Sequence, residues 1–212
     1  VHAYGLAAAQ LARIKEAGLN LTVCIDKVAA SGGYMMACVA DKILAAPFAV
    51  VGSIGVVAQV PNFHDLLEKH DIDVEVFTAG KYKRTVTVFG ENTEEDKQKF
   101  QQELEETHKL FKDFVRKYRP SLDVEQVATG EHWYGEDAIT RNLVDALQTS
   151  DSYILEKMTN SELYAIQSRQ KPTIAQKLGI SQAAQAVVAT AIDKLPDALA
   201  KLQSAKMPMV KK

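Results

Sequence analysis

The stretch that decides the fold is Asp26 to Asp41, DKVAASGGYMMACVAD. Just before it, Leu21-Thr22-Val23-Cys24-Ile25 is apolar, rich in β-branched residues and long enough for one buried strand. A small-residue turn follows, Ala29-Ala30-Ser31-Gly32-Gly33, and then a helical pattern from Tyr34 to Ala40. Ser31 therefore stands where a strand hands over to a helix. Backbone N–H groups are unpaired there and the helix dipole is positive. The plain reading of such a serine is an N-cap. Two features ask for more. Tyr34 occupies the place where a capping box needs Glu or Gln. Gly32 and Gly33 fill the first helical turn, where each costs about 1 kcal/mol relative to Ala. Glycine is tolerated at that cost where something must approach the backbone. A carbonyl lying against the Gly32 N–H, beside the Ser31 hydroxyl, would be such a thing. Cap and nucleophile both remain open on local pattern.

Working outward, Ala3 to Ala17 reads as a helix stopped by Gly18. Ile43 to Ala46 and Gly52 to Ala58 read as short strands, and Asn62 starts a helix through His70. Val74, Val76 and Thr78 alternate with Asp73, Glu75 and Phe77, which predicts one more strand. Thr93 caps a long helix with Glu94, Glu95 and Asp96 in its first turn. Phe100, Leu104, Thr107, Phe111, Phe114 and Tyr118 form its buried stripe, and Pro120 ends it. Gly130 to Tyr134 reads as a turn and Glu136 to Asn142 as a short helix. Strands alternating with helices predict an α/β fold with a mainly parallel sheet.

A chain of 212 residues suits one domain, with room for an appendage. Its formal net charge of −2 gives no electrostatic reason to expect nucleic acid as a partner. Cys24 and Cys38 lack metal-ligand spacing and read as small apolar core residues. Ile43 to Phe63 carries no charge and is long enough to span a bilayer. Pro47, Gly52, Gly55 and Pro61 break it into strands and turns instead, so no transmembrane segment is expected. From Pro172 the chain turns Ala-, Gln- and Lys-rich. Leu178, Val187, Val188, Ala191, Ile192 and Leu195 share one side of a helix there, suited to docking on its own domain or on a sister subunit.

A serine hydroxyl needs a base within reach. His2, His64, His70, His108 and His132 are available. His70 and His108 read as solvated, while His64 and His132 stay open. The other option is a lysine made neutral by desolvation or by neighbouring positive charge. Lys81, Lys83 and Arg84 crowd the loop Ala79 to Gly90, AGKYKRTVTVFG, although a solvated basic loop explains them too. Composition does not choose between Lys83 and a histidine.

Four segments, DKVAASGGYMMACVADKI, GSIGVV, TAGKYKRT and GEHWYGEDAITRNLVD, together resemble the signal peptide peptidase A and SohB family, in the family's order and up to about Met158. The resemblance implies stacked strand-helix units like those of ClpP and the crotonases, and a Ser/Lys serine endopeptidase. Its nucleophile would be Ser31 and its general base Lys83, with Ser53 of Gly-Ser-Ile-Gly orienting the lysine and Gly32 as an oxyanion donor. It implies no metal and no cofactor, a substrate that is a membrane-derived or signal-peptide-like polypeptide, and a homo-oligomer. It further implies a protease domain over 1–160, truncated at its N-terminal side, and a C-terminal helical extension over 161–212. A membrane anchor and a Ser-Pro-Gly-Gly loop would precede this segment in the whole protein. The anchor would set the protein on the bacterial inner membrane, with the periplasmic side favoured, and leave this segment soluble. Two rival expectations are a crotonase-type acyl-CoA enzyme and a catalytically silent oligomeric scaffold.

Overall fold

The computed structural model describes residues 2–166. Val1–Glu162 forms one compact unit, distinct from Leu163–Lys212. The helix expected from the tail's apolar positions lies outside the described residues.

Helix α1 (His2–Glu16) leads into β1 (Thr22–Ile25), β2 (Val28–Ala30), α2 (Gly32–Ala37), β3 (Lys42–Ala45) and β4 (Val50–Gly52). After them come α3 (His64–Glu68), α4 (Glu94–Tyr118), α5 (Val124–Val127), β5 (His132–Tyr134), α6 (Gly135–Thr140), β6 (Ala146–Leu147) and α7 (Ser150–Lys157). The strands form two small sheets. One has the order β1-β3-β6 and is wholly parallel; the other has the order β2-β4-β5, with β2 parallel and β5 antiparallel to β4. This mixed α/β arrangement of mostly parallel strands agrees with the alternation read from the sequence. Ile43, Leu44 and Ala45 are all fully buried. A strand covered on both faces reads as an unbroken apolar run, so Ile43 to Ala46 was visible as a strand.

Four local expectations need correction. Val28–Ala30 is a strand, because Val28, Ala29 and Ala30 pair with Val50, Val51 and Gly52. The strand expected over Gly52 to Ala58 ends at Gly52, and Gly130 to Tyr134 contributes β5 rather than only a turn, since Val51 pairs with Trp133. The alternating stretch 73–78 forms no strand, and Val74, Val76 and Phe77 are all exposed. Alternation supports a strand only when another strand pairs with it and a core covers one face. Neither is present there among the described residues.

The core gathers α1, α2, β3, β4 and the C-terminal half of α4, where Phe111 and Val115 are fully buried. Beneath α2 lies a polar lock. Arg119 grips both carboxylate oxygens of Asp145 at 3.0 and 2.8 Å and donates to the Asn142 carbonyl at 2.9 Å. Asp145 also accepts from the Ile43 N–H at 2.6 Å, and the Tyr34 hydroxyl donates to the Leu143 carbonyl at 2.9 Å. These bonds tie α2, β3, the end of α4 and the α6–β6 connection to one another. Cys38 is fully buried, and burial pushes its thiol up to about 12. Burial first, and the Asp26 charge second, also raise Cys24. Cys38 is therefore a core residue as expected, whereas Cys24 is half-buried and lies outside the core cluster; neither thiol is activated. Among the described residues no helix is long and apolar enough to cross a membrane.

Candidate active site

The second sheet brings the site together. Strands β2 and β4 run parallel, so their carboxyl ends lie side by side, and antiparallel β5 begins at that same end, with Gly52 opposite His132. Ser31 follows β2 directly, Ser53 follows β4, and Thr129 and Gly130 precede β5. A crevice beyond the carboxyl ends of parallel strands is the common place for a ligand in α/β folds. A cavity of about 510 Å³ lies there, lined by Ser31, Ser53, Gly55, Val56, Val57, His108, Thr129 and Gly130.

Ser31 is held in an unusual conformation, φ 52° and ψ −118°, although it is not glycine. The cause is local. Its N–H still follows the β2–β4 pairing and donates to the Gly52 carbonyl at 2.8 Å, while its own carbonyl already accepts from the Met35 N–H at 3.0 Å as α2 begins. One residue must therefore complete the reversal from strand to helix. Its hydroxyl caps no helix N–H, which removes the plain N-cap reading. Ser53 is strained in the same sense, φ 51°, with its N–H donating to the Glu131 carbonyl at 2.6 Å. The glycines beside the serines have packing reasons. A side chain at Gly55 would meet the Gly130 Cα at 3.0 Å, so the two glycines let the segments close on each other. At Gly32 the space that a Cβ would need is filled by the Tyr4 ring of α1. Close packing of α1 is therefore one reason for a glycine at position 32, beside the expected approach of a substrate carbonyl.

Lys83 sits elsewhere in this chain. It lies in an irregular stretch, residues 69–93, is exposed, and is not among the residues lining the Ser31 cavity. Hydrogen bonds from the Asn62 side chain to the Thr87 and Gly90 carbonyls, both 3.0 Å, hold the base of that stretch. Lys81 forms an ion pair with Glu95 at 2.6 Å, and the hydrogen bond to Glu95 raises its amine above the ordinary lysine range. Lys83 makes no such ion pair among the described residues. The loop thus separates two lysines that the sequence left equivalent.

His108 departs from expectation in the opposite direction. It was read as solvated, yet it is half-buried on α4, lines the Ser31 cavity, and has its Nε2 shielded from solvent without a hydrogen-bond partner among the described residues. A signal was present. Position 108 is four residues after Leu104 and three before Phe111, so it lies on the same helical face as the stripe. His70 and His132 are exposed, and His64 is half-buried at the start of α3, away from the cavity lining.

A fold of mostly parallel strands, with a strained serine at a strand-to-helix turn over a cavity, has the form of a hydrolase that uses a serine nucleophile. The family description "Peptidase family S49" matches residues 13–164, and the chain belongs to that family. It is 65% identical over 179 residues to "Probable protease SohB" of Haemophilus influenzae, covering 84% of this chain and 51% of that protein. It is 57% identical over 157 residues to the protein of the same description from Buchnera aphidicola subsp. Schlechtendalia chinensis, covering 74% of this chain and 52% of the relative. The chain spans about half the length of these relatives.

Proposed function

We propose that the chain carries the catalytic centre of a serine endopeptidase in which Ser31 is the nucleophile and Lys83 the general base. The observation that carries this reading is Ser31 itself, an L-residue held at positive φ at a strand-to-helix turn over a cavity. Such strain costs about 1–3 kcal/mol and clusters at functional sites. A sharp strand-to-helix turn is also how other hydrolases expose a serine nucleophile. Membership of peptidase family S49 and the protease descriptions of the relatives point the same way.

In this reading the Ser31 Oγ attacks the scissile carbonyl carbon while the neutral Lys83 amine takes its proton. The oxyanion of the tetrahedral intermediate accepts from the Gly32 N–H, a contact of the kind worth about 3–4 kcal/mol in transition-state stabilisation. The C–N bond breaks as Lys83 returns the proton to the leaving amine, and water then hydrolyses the acyl-serine by the same route in reverse. Ser53 would orient the lysine. A base must lose its proton, and an ion pair would oppose that, so the absence of a carboxylate on Lys83 among the described residues suits the role better than the pairing of Lys81 does. Lys83 would reach Ser31 when the 69–93 stretch docks in the assembled protein. There, Val56 and Val57 would shield its amine from water.

The same reading takes the fold as ClpP/crotonase-like and the whole protein as a homo-oligomer, anchored to the bacterial inner membrane by a segment outside this chain, with the periplasmic side favoured. The substrate would be a membrane-derived or signal-peptide-like polypeptide, for which the valines and glycines of the cavity offer an apolar bed. Among the described residues no Asp or Glu lines that cavity, which counts against the acyl-CoA alternative, since that chemistry needs a carboxylate. The test uses the full-length protein. A fluorophosphonate should label Ser31, and Ser31→Ala and Lys83→Ala should each lower kcat/KM at least about a thousandfold. Peptidase activity retained in either variant would sink the assignment.

A further inference from the structure

The turns that carry Ser31 and Ser53 are backed by a segment that the proposed chemistry does not use. The Ser31 N–H is held by the Gly52 carbonyl at 2.8 Å, so the place of Ser31 depends on the place of Gly52. Gly52 leaves β4 at φ 107°, where an L side chain is strained, and Ser53 follows at φ 51°. Support for this bend comes from β5 and the residues just before it. Val51 pairs with Trp133 and Gly52 with His132. Past the strand end, the Ser53 N–H donates to the Glu131 carbonyl at 2.6 Å and the Gly130 N–H to the Ile54 carbonyl at 3.2 Å. The Trp133 side chain joins this backing. A Cβ on Gly52 would meet the indole at Cε3, 3.0 Å, and at Cζ3, 3.1 Å. The benzo edge of the ring therefore covers the face of Gly52 where a side chain would stand. The Arg141 guanidinium lies over the same ring, 5.1 Å from its centroid. Trp133 is half-buried against the core and does not line the Ser31 cavity.

We propose that Trp133 is a positioning residue for Ser31, its indole acting as a backstop that holds Gly52 and, through the Gly52 carbonyl, the nucleophile. The inference rests on the reading of Ser31 as the nucleophile of a peptidase. The ring meets the residue whose carbonyl fixes Ser31, which sets this contact apart from ordinary core packing. Glycine is the most permissive residue in backbone conformation, so Gly52 has no side chain of its own to hold it at φ 107°. One hydrogen bond from Ser31 is no larger than the strain that it opposes. With the indole removed, the peptide at Gly52 is free to move toward β5 and the turn at Ser31 relaxes with it. The Ser31 Oγ then leaves the place from which it attacks. A misplacement of about 1 Å caused away from the chemistry costs about a hundredfold in rate. The indole touches neither substrate nor reacting atoms, so its effect falls on the attack by Ser31 and leaves peptide binding largely as it was.

The test separates the rate of attack by Ser31 from the amount of folded protein. Full-length protein is labelled with an excess of fluorophosphonate, and the rate constant and the amplitude are read separately. The same variants are then assayed for kcat and KM on an apolar peptide. Trp133→Ala and Trp133→Leu are each expected to lower the labelling rate constant and kcat by about 30–100-fold, with KM within about threefold of wild type. Trp133→Leu keeps an apolar side chain in the core should the alanine variant unfold. Trp133→Phe, which keeps a flat ring beside Gly52, is expected to stay within about threefold of the wild-type rate constant. A merely structural role would lower the melting temperature and the labelling amplitude but not the rate constant. A wild-type rate constant in Trp133→Leu would therefore overturn the proposal, whatever the amplitude. So would a loss carried entirely by KM, which would make Trp133 part of peptide binding. If wild-type protein does not label at Ser31, the peptidase reading falls and takes this inference with it; wild-type labelling with unaltered variants removes the inference alone.

Discussion

At position 31 the chain accepts a backbone conformation that an L-residue ordinarily avoids, and the neighbours show why it is held. The N–H of Ser31 is tied to the Gly52 carbonyl and its carbonyl to the Met35 N–H, so relaxing φ would break one bond or the other. Each is worth about 1 kcal/mol net, comparable to the strain itself. This balance makes a prediction that catalysis alone would not. Ser31→Gly should raise thermal stability relative to Ser31→Ala, by about 1 kcal/mol, because glycine adopts φ 52° without the Cβ penalty while alanine keeps it. Chemical denaturation of the two variants checks this. Equal midpoints would mean that the turn at Ser31 stores no strain.

Among the elements, α4 does two jobs with its two halves. Its C-terminal half is anchored by Phe111 and Val115 and presents His108 to the cavity. Its N-terminal half has no fully buried residue and depends more on local terms. The start of the helix is secured by a capping box. Asp96 N–H donates to Thr93 Oγ1 at 3.2 Å, and Thr93 N–H donates to the Asp96 carboxylate at 3.1 Å. Thr93→Ala should therefore cost about 1 kcal/mol. Hydrogen exchange should locate that loss in the first turns of α4 and spare the region around Phe111. A uniform loss of protection along the whole helix would contradict this division.

For the whole molecule, the Arg119–Asp145 lock pairs a buried arginine with a partly exposed aspartate and joins α4 to β3 and to the approach to β6. Burial works to raise the Asp145 carboxyl, but the hydrogen bonds from Arg119 and the Ile43 N–H, with the arginine charge, outweigh it and hold the group below the ordinary aspartate range. A carboxyl whose folded pKa is depressed contributes stability that is present above its unfolded pKa of about 3.9. That contribution is lost as pH falls through the folded value. Arg119→Met should lower stability at pH 7 by about 1–2 kcal/mol, since it removes the charge-assisted bonds to a half-exposed carboxylate that keeps only the Ile43 N–H. For a unit of this size that is about 2–8 °C in Tm. The gap between wild type and variant should narrow as the pH drops below about 4, where Asp145 is neutral in the variant and its pairing weakens in wild type. A gap that stays constant down to pH 3 would show that the arginine acts through packing alone.

Much of this architecture was legible in the residues. Ile43-Leu44-Ala45 is apolar because both faces of a parallel strand are covered; Thr93 with Asp96, and Pro120, mark the ends of α4 by local hydrogen bonding and the missing proline N–H. Ser31 between an apolar run and two glycines marked the strand-to-helix turn, because that geometry is decided within a few residues. What the sequence could not settle depends on partners far along the chain. Val28–Ala30 becomes a strand only because Val50–Gly52 lies beside it, and 73–78 fails to become one because nothing does. His108 lines the cavity because α4 packs on α2 and turns that face inward, whereas Lys83 stays outside it in the isolated chain. Local pattern fixes what one turn of backbone can decide with its own hydrogen bonds. Which side chains meet across a cavity is set by long-range packing, and only the folded chain supplies it.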